Sequence, residues 1–171
     1  LYMLCASAFT AKDVNSVGAY KNKCFKWGYM TKVDISTNVD VYNHNTSDVE
    51  STQRIMWCAR FIKLKHPELP VKLASRLKNQ GYNFVINMFG SGVELENIKS
   101  LAKKLEVEDC VKFCGNLSND RILSEMKKHD IFLFTSDKNE GWGAVLNEAM
   151  SCRCAVVGSD MIGSVPFLIE D

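Results

Sequence analysis

Residues 130–159, "DIFLFTSDKNEGWGAVLNEAMSCRCAVVGS", decide the fold. "DIFLFTS" is apolar almost throughout and reads as a strand. A turn-rich loop follows, then "GAVLNEAMSC" reads as a helix and "CAVVGS" as a second strand. A strand without polar alternation is buried on both faces. Such strands taking turns with helices indicate a parallel sheet covered on both sides.

The same alternation extends upstream to about residue 53. "RIMWCAR" is a short, bulky apolar run and "NFVINMFG" a second one, with "CVKFCG" as the next. Between them, "ELPVKLASRLKNQG" has helical spacing at Leu69, Leu73 and Leu77 and ends on Gly81 as a C-cap. "VELENIKSLAKKLEV" places Leu95, Ile98, Leu101, Ala102 and Leu105 on one helix face. "SNDRILSEMKKH" opens on Ser118 as an N-cap and reads as a helix. The predicted class is α/β, a Rossmann-like doubly wound parallel sheet. "SVPFLIED" begins another helix or connection, and its abrupt end predicts a domain incomplete at the C-terminus.

Residues 1–50 differ from the rest. "LYMLCAS" admits a strand without a partner strand of the same unit behind it. "AYKNKCFKWGYMTKV" interleaves Lys21, Lys23, Lys26 and Lys32 with Tyr20, Phe25, Trp27 and Tyr29. That mixture admits nucleic-acid and membrane-surface readings, but the favoured one is a hinge or docking segment with solvated lysines. "TNVDVYNHNTSDVES" reads as a linker. The division expected is 1–50, a remnant of a preceding domain and its linker, and 51–171, the Rossmann-like domain.

Composition excludes several classes. Lys plus Arg number 21 against 20 Asp plus Glu, so no global charge argues for nucleic acid and any anion needs a local site. No run approaches the roughly 18 apolar residues of a membrane span, and the apolar "LYMLCASAF" lacks a basic leader. Seven cysteines, mostly inside apolar runs, read as reduced, buried thiols of a cytoplasmic protein. The pairs Cys110/Cys114 and Cys152/Cys154 fall in strands and helix ends, which disfavours zinc. His44, His66 and His129 are scattered, in surface or local hydrogen-bonding roles.

Ligands of this fold class sit outside the carboxyl ends of the strands. Behind successive strands stand Arg60 and Lys65, then Gly90-Ser91-Gly92, then Cys114-Gly115-Asn116, then the loop "TSDKNEGWG", then "GSD". Two cations, two glycine-lined helix starts and room for close backbone approach make a site suited to a diphosphate. Glu140 and Glu148 are separated by about 8–10 Å along the helix rise, too far to share one proton. Ionised carboxylates only accept hydrogen bonds, so hydroxyls are their natural partners. An anionic middle with hydroxyl-rich ends describes a nucleoside-diphosphate sugar. The competing reading makes Glu140 a solvated loop residue and Glu148 a surface helix residue.

"NEGWGAVLNEAMSCRCAVVGSD" resembles the E-x7-E region of the retaining, group 1 (family 4) glycosyltransferases of GT-B fold. "WCARFIKLKHPEL" resembles their G-R-L-x-x-x-K-G segment, "MFGSGVE" their G-x-G-P-E turn and "VKFCGNL" their V-x-F-x-G loop, in matching order across residues 53–171. The departures are Ala59, His66 and Arg153 where glycine is usual, Val93 where proline is, and Trp142 for phenylalanine, which bears on the donor-sugar space.

The resemblance implies the C-terminal, donor-binding half of a two-domain enzyme, with the acceptor held mostly by the other half. Arg60 and Lys65 would neutralise the donor diphosphate, and the Gly143-Ala144-Val145 backbone, behind Gly141 and Trp142, would cap a phosphate. Glu140 would accept sugar hydroxyls and Glu148 those of the ribose, while backbone at Cys114 to Asn116 would border the base. The implied activity is transfer of a hexosyl or related group to a glycan or lipid-linked acceptor with retention of configuration. No cofactor or metal is expected. The partners expected are the nucleotide-sugar donor, the acceptor and the missing N-terminal domain, with no nucleic acid and with peripheral membrane contact admitted for a cytoplasmic protein. A sugar-nucleotide epimerase of the same fold and a non-catalytic nucleotide-binding module are the alternatives.

Overall fold

The computed structural model describes residues 1–31 and 52–169. The predicted linker, Lys32, His44 and the boundary at residue 50 lie outside the described residues. In chain order the first elements are β1 (Met3–Cys5), α1 (Thr10–Ser16) and β2 (Cys24–Lys26). Then come β3 (Gln53–Cys58), α2 (Glu68–Asn79), β4 (Phe84–Phe89), α3 (Leu95–Lys104), β5 (Val111–Gly115), α4 (Asn119–Met126) and β6 (Ile131–Phe134). The described chain ends with α5 (Val145–Ser151), β7 (Ala155–Gly158) and α6 (Val165–Leu168).

β3 to β7 form a five-stranded sheet in the order β5-β4-β3-β6-β7, all pairs parallel. The chain builds outward from β3 in one direction through β4 and β5, then returns to lay β6 and β7 on the other side. The order therefore reverses between β3 and β6, and in an open parallel sheet that reversal leaves a crevice beyond the strand ends.

Successive strand residues point to opposite faces, and β3 serves both. Ile55 and Trp57 join Val71, Ala74, Ile98 and Ala102 of α2 and α3 in one core. Met56 joins Ile122, Met126, Leu146 and Ala149 of α4 and α5 in the other. A central strand apolar on both sides is thus explained by two separate helix layers. In α2 the inner face is Pro70, Val71 and Ala74, and Leu69 is 42% exposed. Leu73 and Leu77 of the expected stripe pack at the margin of the core, but Leu69 does not, because a proline and two small residues pack closest to the sheet. Ser118 occupies the N-cap of α4 in extended conformation, but its hydroxyl makes no cap bond.

Two other expectations are corrected. Residues 1–5 do have a partner: β1 and β2 pair in parallel, Met3 beside Cys24 and Cys5 beside Lys26, with α1 between them. Strands this short, with lysines alternating against aromatics, carry too little apolar periodicity to be read as a sheet. The cysteines are less uniform than expected: Cys5 and Cys154 are buried, Cys114 is exposed and the other four are intermediate. His129 makes local hydrogen bonds as expected, but from a buried position. Its Nδ1–H donates to the Glu125 carbonyl at 2.7 Å and its Nε2 accepts from the Asn87 amide at 2.8 Å.

Candidate functional site

The parallel strands bring all the proposed loops to one edge. The segment after β3 is anchored first by Phe61, which is buried edge-on against Trp57 with ring centroids 4.9 Å apart. The Phe61 N–H donates to the Ser91 carbonyl at 2.8 Å, and its own carbonyl accepts from the Glu94 N–H at 3.0 Å. The β4 loop must pass close beneath. A Cβ on Gly90 would stand 1.9 Å from the Ala59 carbonyl oxygen, and one on Gly92 would stand 2.4 Å from that of Phe61. Gly90 and Gly92 are therefore required by the protein's own backbone, in the space the sequence reading left for a ligand. Ser91 Oγ accepts from the Asn116 amide at 2.9 Å, which ties the β4 loop to the β5 loop. Gly115 there has φ +71° and open space around its Cα.

A short 3-10 turn, Lys63–Lys65, leads the chain back over the crevice. Lys65 Nζ donates to Glu140 Oε2, and the two side chains are only 15% and 13% exposed. This ion pair spans the reversal between β3 and β6. Several bonds fix its two loops to each other. The Thr135 hydroxyl donates to the Lys65 carbonyl at 2.6 Å, and the Asp137 N–H donates to the Leu64 carbonyl at 3.1 Å. His66 faces Glu68 Oε1 through Nδ1 at 3.0 Å and Asp137 Oδ2 through Nε2 at 3.4 Å. The Asn139 backbone N–H, assisted by its side-chain amide and by His66, holds the Asp137 carboxyl below its usual range. Arg60 is exposed; its carbonyl accepts from the Ile62 N–H at 2.9 Å, while its guanidinium makes no hydrogen bond or ion pair among the described residues.

Two of the glycine replacements noted in the sequence now have a backbone meaning. His66 has φ +47° and Arg153 has φ +67°, both left-handed. The turns keep the conformation glycine favours, and a side chain bears the strain. Gly143 is left-handed as well, at φ +72°, and its Cα packs on Phe134, where a Cβ would stand 2.2 Å from the ring. Beyond it, the first backbone bond of α5 runs from the Leu146 N–H to the Gly143 carbonyl at 3.0 Å. The N–H groups of Gly143, Ala144 and Val145 stand ahead of that ladder.

Glu148 lies partly buried beside the end of β3. Burial raises its carboxyl above the usual range, against a hydrogen bond from Asn119. Burial, and then the Glu148 charge, push the Cys58 thiol up to about 11. Trp142 faces away from this crevice. Its ring is 5% exposed and packs edge-on against Phe167 at 4.9 Å, beside Tyr29 at 5.9 Å. A Cβ on Gly28 would stand 2.9 Å from that indole. Its Nε1–H donates to Asn147 Oδ1 at 2.7 Å, and the Asn147 amide donates to the Tyr29 carbonyl at 3.2 Å. So Arg60, Lys65, Glu140, Glu148 and the Gly143 turn share one edge, whereas Trp142 joins that edge to residues 28–29.

Sequence reasoning missed Thr135, Asp137 and the clasp formed by His66. A hydroxyl ending the apolar run "IFLF" was the available signal for Thr135. No three His, Cys, Asp or Glu side chains converge as a metal set among the described residues. None of the described helices is long and apolar enough to cross a membrane.

Comparison with known proteins agrees with this architecture. The family model described as "Glycosyl transferases group 1" matches residues 43–171. The N-acetyl-alpha-D-glucosaminyl L-malate synthase of Bacillus anthracis is 29% identical over 121 residues, 71% of this chain and 30% of that protein. The amylovoran biosynthesis glycosyltransferase AmsK of Erwinia amylovora is 32% identical over 122 residues, again 30% of its length. The chain thus spans about a third of these relatives. Anabaena Alr3699/HepE, solved in complex with UDP, superposes with a TM-score of 0.78 at 16% identity, covering 99% of this chain and 47% of that one. S. aureus TarM gives 0.76 at 15% identity, covering 99% and 32%. At such identities the likeness speaks for the fold alone, the Rossmann-like C-terminal half of a GT-B architecture. With three quarters of its length matched, the chain belongs to the group 1 glycosyl transferase family.

Proposed function

We propose that this chain is the donor-binding part of an enzyme that moves a hexosyl or related group from a nucleoside-diphosphate sugar to a glycan or lipid-linked acceptor, with retention of configuration. The observation that carries the reading is the Lys65–Glu140 pair closed across the strand-order reversal. Without ligand, each charge is held by the other. An arriving diphosphate offers Lys65 a stronger, doubly anionic partner, and Glu140 is then free to accept sugar hydroxyls. Arg60, exposed and unpaired among the described residues on the same edge, adds a second cation. Glu148, partly buried beside the end of β3, takes the ribose hydroxyls at the other end.

The chemistry follows from where charge develops. Departure of the nucleoside diphosphate builds negative charge on phosphate oxygens, and preoriented cations and N–H groups lower that barrier because they need not reorganise. The same groups could serve in place of a divalent metal. The residues described here lack most of an acceptor-binding half, so the chain by itself is expected to bind nucleotide and transfer nothing.

The test is thermal melting of the chain with UDP-, GDP- and ADP-sugars. A ligand at 100 times its Kd stabilises by about 2.7 kcal/mol, or roughly 5–10 °C for a domain of this size. One nucleotide series should shift the melt, and Lys65→Ala should remove most of the shift. A wild-type melt indifferent to every nucleoside-diphosphate sugar sinks the reading.

A further inference from the structure

Lys65 reaches Glu140 because its backbone is held by groups that never touch its ammonium. Trp57, on the central strand, is 1% exposed, and a buried indole N–H requires an acceptor. It finds Thr135 Oγ1 at 2.8 Å, just beyond the end of β6. The same hydroxyl lies 2.6 Å from the Lys65 carbonyl oxygen. Elementary chemistry fixes the direction of this chain. An indole N–H only donates, a carbonyl only accepts, and a hydroxyl has one proton to give. The Thr135 proton must therefore point at Lys65.

We propose that Thr135 is a positioning residue, a single hydroxyl that transmits the fixed place of Trp57 to the backbone of Lys65 and so sets the reach of the Lys65 ammonium. The consequence for ligand binding rests on the reading of Lys65 as a diphosphate cation; the positioning itself does not. Within the turn the Lys65 N–H donates to the Ile62 carbonyl and the His66 N–H to the Lys63 carbonyl, both at 3.0 Å, and these bonds shape the turn; the Asp137 N–H to the Leu64 carbonyl and the Thr135 hydroxyl to the Lys65 carbonyl are the bonds that tie it to the β6 loop. Replacing the hydroxyl by a methyl group orphans both a buried donor and a carbonyl, whereas serine keeps both bonds.

The first test needs no ligand. Thr135→Val, Glu140→Gln and the double variant are compared by thermal melting. If Thr135 places Lys65 on Glu140, the double variant should lose at least about 2 °C less than the sum of the singles. A purely structural hydroxyl gives an additive cycle, which overturns the proposal. The second test compares UDP with UMP by calorimetry. Thr135→Val should weaken UDP about tenfold and leave UMP within about twofold, and Thr135→Ser should restore UDP. Weakening both nucleotides alike, or failure of serine to rescue, also overturns it. If the cycle couples but neither Thr135→Val nor Lys65→Ala alters the UDP-to-UMP ratio, the positioning stands and the diphosphate reading falls. Should Thr135→Val not fold, NMR of the unaltered protein decides: a slowly exchanging Thr135 hydroxyl proton close to the Trp57 indole proton is expected, and its absence refutes the relay.

Discussion

The turn Glu140-Gly141-Trp142-Gly143 has two sides built on different physics. On one, Glu140 meets Lys65 in a pair surrounded by directional bonds from Thr135, Asp137 and His66. On the other, Trp142 fills the space left by a glycine at 28 and packs on Phe167 and Tyr29, with the Asn147 amide as its polar tie. The first side is specified by where donors and acceptors are and the second by shape. The polar side can exchange one partner for another at little cost in packing, as a ligand site requires. The apolar side cannot, and it joins residues 1–31 to the site.

The largest effect is expected at Trp142. Trp142→Ala removes a buried aromatic, a change that costs about 3–5 kcal/mol in protein cores. Amide exchange should then accelerate in β1, β2 and residues 27–29, while β3 and β6 stay protected. Equal loss of protection in both sheets would show that the two sides of the turn are not separable. A smaller effect of opposite sign comes from the left-handed positions. Arg153→Gly should stabilise by about 1 kcal/mol, because it removes the side-chain penalty of that conformation. His66→Gly should gain less or lose, since it also removes the ring between Glu68 and Asp137. The difference between the two melts measures that clasp, and equal gains would mean that it contributes nothing.

The smallest effect concerns Glu148. Its folded carboxyl binds a proton more tightly than the unfolded one, because burial disfavours the charge. Stability contributed through this group therefore falls as pH rises from the ordinary carboxylate range through the raised one, and stays lower at neutral pH. Glu148→Gln should raise stability at pH 7 by less than about 1 kcal/mol, solvent screening of the half-exposed group keeping it small. The gain should vanish in acid. A gain independent of pH would assign the effect to something other than the charge, and an unweakened nucleotide affinity would remove Glu148 from the ribose role.

Much of this was legible in the chain. Apolar runs such as "IFLF" and "NFVINMF" gave the inner strands, because burial on both faces leaves no polar alternation to confuse with helix; the edge strands β5 and β7 were legible from their short runs of apolar residues although much of their surface is exposed. Fixed parallel direction then placed Arg60, Lys65, Glu140 and Glu148 at one edge. The β1–β2 pair was not legible, since its strands are too short and too exposed to show a period. Leu69 misled because helix spacing identifies a stripe but not which side of it meets a sheet. Gly90 and Gly92 were legible as sites of close approach, although what approaches is Ala59 and Phe61 rather than a ligand.

The amino-acid sequence determined the strands of the large sheet, the helices between them, their parallel direction and the edge on which charged and glycine residues gather, because those depend on local periodicity and on the handedness of strand–helix–strand crossings. Only the tertiary structure decided which charges meet. Lys65 and Glu140 are 75 residues apart, Trp57 and Thr135 are 78, and Asn147 reaches Tyr29 across 118. Hydrogen bonds at such separations carry no local signal in the chain. They exist because packing on two helix layers fixes the strand ends to within the short reach of a donor and its acceptor.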